Sequence, residues 1–306
     1  MKNNKGSVLI FVLIFIAFGA SVAIYIYEKS MEDFTGVTDD FYENQSHIYA
    51  MSAVTAVEKV LEDDDNSYDT REEDWAIIPL VEVPYGDISI SVTPVNAKIP
   101  LNDMVESKSY DAERFKTACE NVIEEESITD IDCAEILDYI DTDSDTTVGG
   151  NESGRYEYSG MEFNTKNAPL ETMNELRILT ENPDDYNKLL KYFTALDDGN
   201  AINLNFASAE TIKMFLPELE DYAEQIADYT KTDEIKDVSN IQQEFGVPAD
   251  VYLTVLPYIT VKSTLFYVRV EITLNDVPRF YHALISKEGT NTAVIRFMAG
   301  LDGDYY

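Results

Sequence analysis

The feature that most constrains this chain is its start, where Ser7 to Tyr27 gives 21 residues without a charge. At 1.5 Å per residue that is about 31 Å of helix, enough to span a bilayer. Lys2 and Lys5 precede the run and Glu28 follows it. The positive-inside rule therefore predicts a cytoplasmic N-terminus and, in a bacterium, a periplasmic or external bulk. No proline occurs between Ser7 and Leu61, and Phe34, Val37, Phe41, Ile48, Met51, Val54, Val57 and Leu61 continue a helical spacing beyond the apolar run. The whole stretch predicts one helix of about 80 Å, with Gly19 and Gly36 as its candidate kinks.

The remainder is strongly acidic. Across 306 residues, 58 Asp and Glu oppose 22 Lys and Arg, a formal net charge of -36. Such a surface repels phosphate backbones, which excludes nucleic acid as the main partner, and suits hydrated carboxylates or bound divalent ions. The hydrophobic content of 45% still predicts a packed core. His47 and His282 are the only histidines and Cys119 and Cys133 the only cysteines, so a four-cysteine zinc site and multi-histidine zinc chemistry are out. No phosphate loop, nucleophile elbow or dinucleotide fingerprint is present, and the reading is of a protein that is not an enzyme.

Residues 86–95 alternate Ile88, Ile90 and Val92 with Ser89, Ser91 and Thr93, the pattern of a strand buried on one face. Residues 265–298 repeat it, with turn signals at Asn275-Asp276 and Glu288-Gly289, and predict a meander. Between them, residues 103–256 read as short helices with polar connections. A sheet split by a helical block predicts an α+β class: a long helix over 7–61, sheet segments in 62–102 and 257–306, and an α-helical domain inserted at 103–256. Asn203 and Asn205 are expected to bond local backbone and cap the helix that follows. Trp75 and the 20 tyrosines read as core and interface material.

One loop carries recognisable chemistry. Asp141, Asp143 and Asp145 alternate just past a predicted helix, and Glu152 follows. Alternate carboxylates can wrap inward on one hard cation while a later Glu closes the shell, as in oxygen-ligated Ca²⁺. They can equally form a solvated acidic loop, and as residues alone the two readings stay open. Cys119 and Cys133, on or beside adjacent predicted helices, can form a disulfide in an oxidising compartment or remain two buried thiols.

The leader resembles a type IV prepilin signal: basic residues, then Gly6, then the apolar run, with cleavage between Gly6 and Ser7 leaving the helix on the mature chain. An uncleaved signal anchor is the other reading. Most pilins carry Glu as the fifth mature residue, where this chain has Phe11. Four further motifs resemble the K-type minor pseudopilins of type II secretion systems. Asp138-Tyr139-Ile140-Asp141-Thr142-Asp143 followed by Gly150-Asn151-Glu152 and Tyr156 is similar to the family's D-W-I-D-x-D and G-x-E-x-x-x-Y. Ala168 to Leu179 resembles N-x-P-x-x-x-x-x-E-L, Ala201 to Pro217 resembles N-x-N-T-A, with Phe206 for Thr, and Lys98 to Asp103 resembles K-I-N-L-N, with Pro100 for Asn. That family also tends to lack Glu at the fifth mature position.

The resemblance implies a pilin-like fold, with a leader at 1–6, a transmembrane segment at 7–27 and a single pass through the bacterial inner membrane. It implies a place at the tip of the pseudopilus, initiating or capping it and assisting export of folded proteins. It also implies Ca²⁺ held by Asp141, Asp143, Asp145 and Glu152. The partners implied are other minor pseudopilins, the prepilin peptidase, and secreted cargo or the secretin channel. Two alternatives stand beside it: a minor pilin of a type IV pilus, and a signal-anchored, calcium-dependent periplasmic hydrolase.

Overall fold

The computed structural model describes residues 5–64, 67–105, 111–152, 155–158, 161–180 and 182–303; for 5–18, 30–38, 155–158 and 161–163 it describes the backbone alone. A single helix, α1, runs Lys5–Asp63. The predicted transmembrane segment Ser7–Tyr27 lies largely outside the described side chains, as do the leader residues 1–4. Among the described residues no helix is long and apolar enough to cross a membrane.

After α1 the order is β1 (Val81–Val83), β2 (Gly86–Pro94), β3 (Ile99–Pro100), α2 (Ala112–Glu125), α3 (Cys133–Ile140), β4 (Arg155–Tyr158) and β5 (Met161–Asn164). Then come α4 (Pro183–Tyr192), β6 (Phe193–Thr194), β7 (Ile202–Asn203), α5 (Ala209–Phe215), α6 (Glu220–Tyr229), α7 (Asn240–Glu244), α8 (Ala249–Val255), β8 (Ile259–Thr260), β9 (Leu265–Leu274), β10 (Val277–Glu288) and β11 (Asn291–Gly300). The main sheet has the order β1-β2-β9-β10-β11 and is antiparallel throughout. The β9–β10 hairpin closes on Asn275 and Asp276, both with positive φ, the backbone that a two-residue hairpin with the strands' own twist requires.

Two hydrophobic clusters result. Alternation along β9 turns Phe266, Val268, Val270 and Ile272 toward Ala50, Val54, Val57 and Leu61 of α1, and Trp75 packs between Phe206 and Phe266. The helical cluster runs from Ile99 to Val261, a few residues past the expected bounds of 103 and 256 at each end. Two short parallel pairs, β3 with β6 and β7 with β8, stitch its ends.

The apolar residues of α1 divide between two environments: Val54, Val57 and Leu61 are buried, whereas Phe41, Ile48 and Met51 are 57%, 56% and 52% exposed. The two sets point to different sides of the helix. Three sequence expectations need correction. Residues 173–178 form a 3₁₀ turn, and the helix α8 and the β4–β5 hairpin occur where no element was expected. The helix after Asn205 is capped by Ser208, whose hydroxyl accepts the Thr211 N–H at 3.0 Å. Asn203 does bond local backbone, accepting the Asn205 N–H at 3.0 Å, but its amide donates to Ser263 Oγ at 2.9 Å. The Asn205 amide donates to the carbonyls of Asp69 and Ile235. Both asparagines thus tie the helical module to the segments that flank the sheet.

Candidate metal centre

The acidic loop grows from the end of α3. Asp132 caps that helix, accepting the Ala134 N–H at 2.9 Å, while Glu135 accepts the Asp132 N–H at 3.4 Å in a capping box. Ile136, Leu137, Tyr139 and Ile140 are buried in the helical cluster, so the orientation of α3 is fixed by packing. The backbone turns extended at Asp141, φ -76° and ψ 174°, which stops the helix and starts the loop. Asp138, fully buried, accepts the Thr147 N–H at 3.0 Å and folds the loop back. Asp143 Oδ1 accepts the Asp145 N–H at 2.8 Å in a local Asx turn. Gly150 passes so close to α3 that a Cβ there would lie 2.2 Å from Asp138 Oδ2.

Asp141, Asp143 and Asp145 line one cleft of about 500 Å³ together with Thr147 and Lys116. Glu152, only 8% exposed, joins them through a residue that the sequence reading did not single out. The Asn167 side-chain amide donates to the Asp143 carbonyl at 2.8 Å and to Glu152 Oε1 at 2.6 Å, and its backbone N–H donates to Tyr139 O at 3.0 Å. Asn167 sits at φ +48°, a left-handed conformation that Asn tolerates better than most residues. Its sequence signal was the N-x-P formed with Ala168 and Pro169, directly before the stretch whose likeness was read from Ala168 onward.

Three buried oxygens in this group have no hydrogen-bond partner among the described residues: Asp141 Oδ1, Glu152 Oε2 and Asn167 Oδ1. Buried acceptors are nearly always satisfied, so three orphans from three chain segments call for a donor or a cation. The Asp141 carboxyl is pushed up to about 6, first by burial and then by Asp143, Glu152 and Asp138, with a backbone N–H from Asp143 opposing. A donor set made only of oxygens suits a hard cation such as Ca²⁺ and not zinc. The donor types therefore suit Ca²⁺, with Asp141, Asp143, Asp145, Glu152 and Asn167 as the groups that would hold it, but no three of these carboxylates bring their oxygens within 4.8 Å of one another among the described residues.

A second acidic group lies at the end of α1, where one oxygen each of Asp64, Asp69 and Glu73 falls within 4.8 Å of the others. Here a cation is built in: the buried Lys287 ammonium pairs with Asp64, and Asp69 accepts the Ser263 N–H at 2.5 Å. Burial still pushes Asp69 up to about 6, against that bond and Lys287. Cys119 and Cys133 are joined as a disulfide between α2 and the first residue of α3, with Cα atoms 6.0 Å apart. Gly6 and Ser7 fall in the helical backbone of α1, and the Ser7 side chain lies outside the described residues.

Residues 97–198, which include the acidic loop, Asn167 and the disulfide, match the family model described as "Type II secretion system (T2SS), protein K". The chain is 24% identical over 321 residues to the type II secretion system protein K of Pectobacterium carotovorum subsp. carotovorum, covering 98% of this chain and 97% of that protein. Its fold is similar to a chain in the crystal structure of the GspK-GspI-GspJ complex from the enterotoxigenic Escherichia coli type 2 secretion system. There the TM-score is 0.73 at 20% identity, over 87% of this chain and 99% of that one.

Proposed function

We infer that this chain is a K-type minor pseudopilin of a type II secretion system, a structural subunit of the pseudopilus and not an enzyme. The observation that carries the reading is the match to protein K over residues 97–198, continued as similarity along nearly the whole chain. The four motifs read from the sequence point the same way, and a fold of mixed helix and antiparallel sheet supports the reading.

Several finer statements belong to this reading. The apolar run Ser7–Tyr27 anchors the chain in the inner membrane, with the bulk in the periplasm, after the prepilin peptidase cuts between Gly6 and Ser7. The partners are smaller minor pseudopilins, supported by a structural neighbour that was crystallised as a GspK-GspI-GspJ complex. They dock on the part of α1 that the sheet leaves open, where Phe41, Ile48 and Met51 expose apolar surface on a chain otherwise rich in charge. The helical module, some 150 residues in the region 103–256, obstructs the space above the sheet that a further subunit needs, which suits the tip of a filament and a cap facing cargo or the secretin channel. Ca²⁺ held by Asp141, Asp143, Asp145, Glu152 and Asn167 shapes this module and takes no part in a reaction.

Two measurements test the reading. Mass spectrometry of the mature chain should show Ser7 as the first residue, and recovery of residues 1–6 would defeat the pseudopilin assignment. Calorimetry of the full chain in detergent should show Ca²⁺ uptake, and no uptake at millimolar concentration would remove the metal.

A further inference from the structure

The main sheet ends differently at its two edges. At one, β1 is three residues long, carries Glu82 and lies between Pro79 and Pro84, features that keep an edge strand from pairing further. At the other, β11 runs ten residues without a proline, and no strand pairs with its outer side among the described residues. Its one charge, Arg296, is turned to Glu171 of the helical module at 3.9 Å. Its one irregularity is Ile295, which the register skips between Val294, paired with Ile285, and Arg296, paired with Leu284. A bulge of this kind disturbs pairing at one residue and leaves strand backbone on either side of it.

This edge runs beside the open flank of α1. The His47 ring lies 5.5 Å from that of Phe297 and 5.9 Å from that of Tyr281, and farther along Lys287, opposite Thr292 of β11, meets Asp64. β11 read from Phe297 to Thr292 therefore follows α1 from His47 toward Asp64. Met51 lies one turn beyond His47, about 6 Å, and Ile295 lies two residues beyond Phe297, about 7 Å, so the two come level. Ile48, Met51 and Ile295 are each more than half exposed, and Val294 is 37% exposed. The result is one strip that sets apolar side chains beside strand backbone with an open side.

We propose that β11 accepts an added strand: an extended segment of a smaller minor pseudopilin pairs with its outer edge while apolar side chains of that partner cover Ile48, Met51 and Ile295. The inference rests on the pseudopilin reading above and adds to it the mode of contact and a second element, β11, beside α1. Main-chain hydrogen bonds along the edge supply affinity, and the apolar residues next to them fix the register. A second copy of this chain is the poorer occupant, because two bodies that each carry a formal charge of -36 repel one another.

Hydrogen exchange of the full chain in detergent, alone and saturated with the GspI- and GspJ-type subunits of the same secretion system, tests this. Packing on α1 alone leaves the outward amides of β11 open to water, whereas an added strand bonds them. Those amides of 291–300 should exchange at least about tenfold slower in the complex, while those of β1 change little. Ile295→Lys, a charge of the kind that blunts natural edges, should keep its melting temperature and lose that protection at the same partner concentration. Binding with 291–300 exchanging as in the free chain, or protection that Ile295→Lys leaves intact, would overturn strand addition and leave the pseudopilin partners standing. Protection that grows with the concentration of this chain alone would overturn the choice of partner in favour of a second copy. Absence of binding to either subunit would defeat the partner reading and the added strand with it.

Discussion

The Asn167 side chain donates to Glu152 Oε1 and to the carbonyl of Asp143, so one neutral amide bridges the two ends of the acidic loop while its own oxygen is buried without a partner among the described residues. An amide placed this way lowers the repulsion between two acidic segments and adds an uncharged ligand oxygen. Replacing it by Gly, which accepts the φ of +48° without strain, removes the side chain and spares the backbone. Asn167→Gly should weaken Ca²⁺ binding by about 10- to 100-fold, the range typical of lost supporting groups at a metal site. Calorimetric titration checks it, and an unchanged affinity would show that Asn167 is no part of the site.

Gly150 supplies a steric test of how tightly the loop is folded on α3. A methyl group there would meet Asp138 Oδ2 at 2.2 Å, Asp138 Cγ at 2.6 Å and the Ala134 carbonyl at 2.9 Å. Asp138 is fully buried and engaged by the Thr147 N–H, so it has no room to move aside. Gly150→Ala should destabilise the protein by about 1–3 kcal/mol, as overpacking does, read from the urea midpoint at constant slope.

The two carboxyls pushed up to about 6, Asp69 and Asp141, give a pH signature with a definite sign. A carboxyl whose folded value lies above its unfolded value holds its proton more tightly when folded. Its stabilisation is complete below the unfolded value and is lost as pH rises through about 6. Asp69→Asn mimics the protonated form, with Asp64 and Glu73 near enough to accept from the new amide. The variant should melt above the wild type at pH 7.5, and the gap should narrow as pH falls through about 6 and close only below about 4. The same comparison for Asp141→Asn in chelator should behave alike, whereas in calcium the sign should reverse because a ligand charge is gone. A gap that does not depend on pH would refute the assignment of these protons.

How much of this was legible in the sequence depends on the range over which each residue acts. Strands β2, β9 and β10 followed from two-residue alternation, and α2 through α7, apart from the 3₁₀ turn at 173–178, from local periodicity and caps, because those signals are written in neighbouring residues. Asp141, Asp143, Asp145 and Glu152 were visible as a spacing. Asn167 was not, since it reaches Asp143 from 24 residues away and its use depends on the hairpin between. Asn205 was misread as a local turn residue for the same reason, as its amide bonds Asp69 O from 136 residues away. The spacing on α1 stops short for another reason: periodicity finds apolar residues on a helix but does not say which of them the sheet will cover.

Asn205 joins the two modules and should behave as a keystone residue. It is 1% exposed, donates to the carbonyls of Asp69 and Ile235, and accepts the Ile235 N–H at 3.0 Å. Asn205→Ala leaves those buried groups without partners, at about 1–3 kcal/mol for each group that water cannot reach. A loss of at least about 2 kcal/mol in denaturant unfolding is expected, with sheet and helices melting together. Two separated transitions would show that the modules fold independently of this joint.

The exposed side of α1 carries the last prediction. Phe41, Ile48 and Met51 are more than half exposed, whereas Val54, Val57 and Leu61 of the same helix are buried against the sheet. Changing the exposed set should therefore leave the fold of this chain nearly untouched, within about 0.5 kcal/mol. If the smaller minor pseudopilins pack their own helices on this side, a charge at its centre must be buried without a partner when the complex forms. Ile48→Asp should then keep its melting temperature and lose at least about tenfold in affinity for those partners, consistent with the roughly 1–3 kcal/mol expected for an unpaired polar group in an interface. Val57→Asp serves as the contrast, because it should unfold the sheet module. Co-purification and titration of the full-length proteins in detergent measure both effects, and an Ile48→Asp chain that binds as tightly as the wild type would place the interface elsewhere on the molecule.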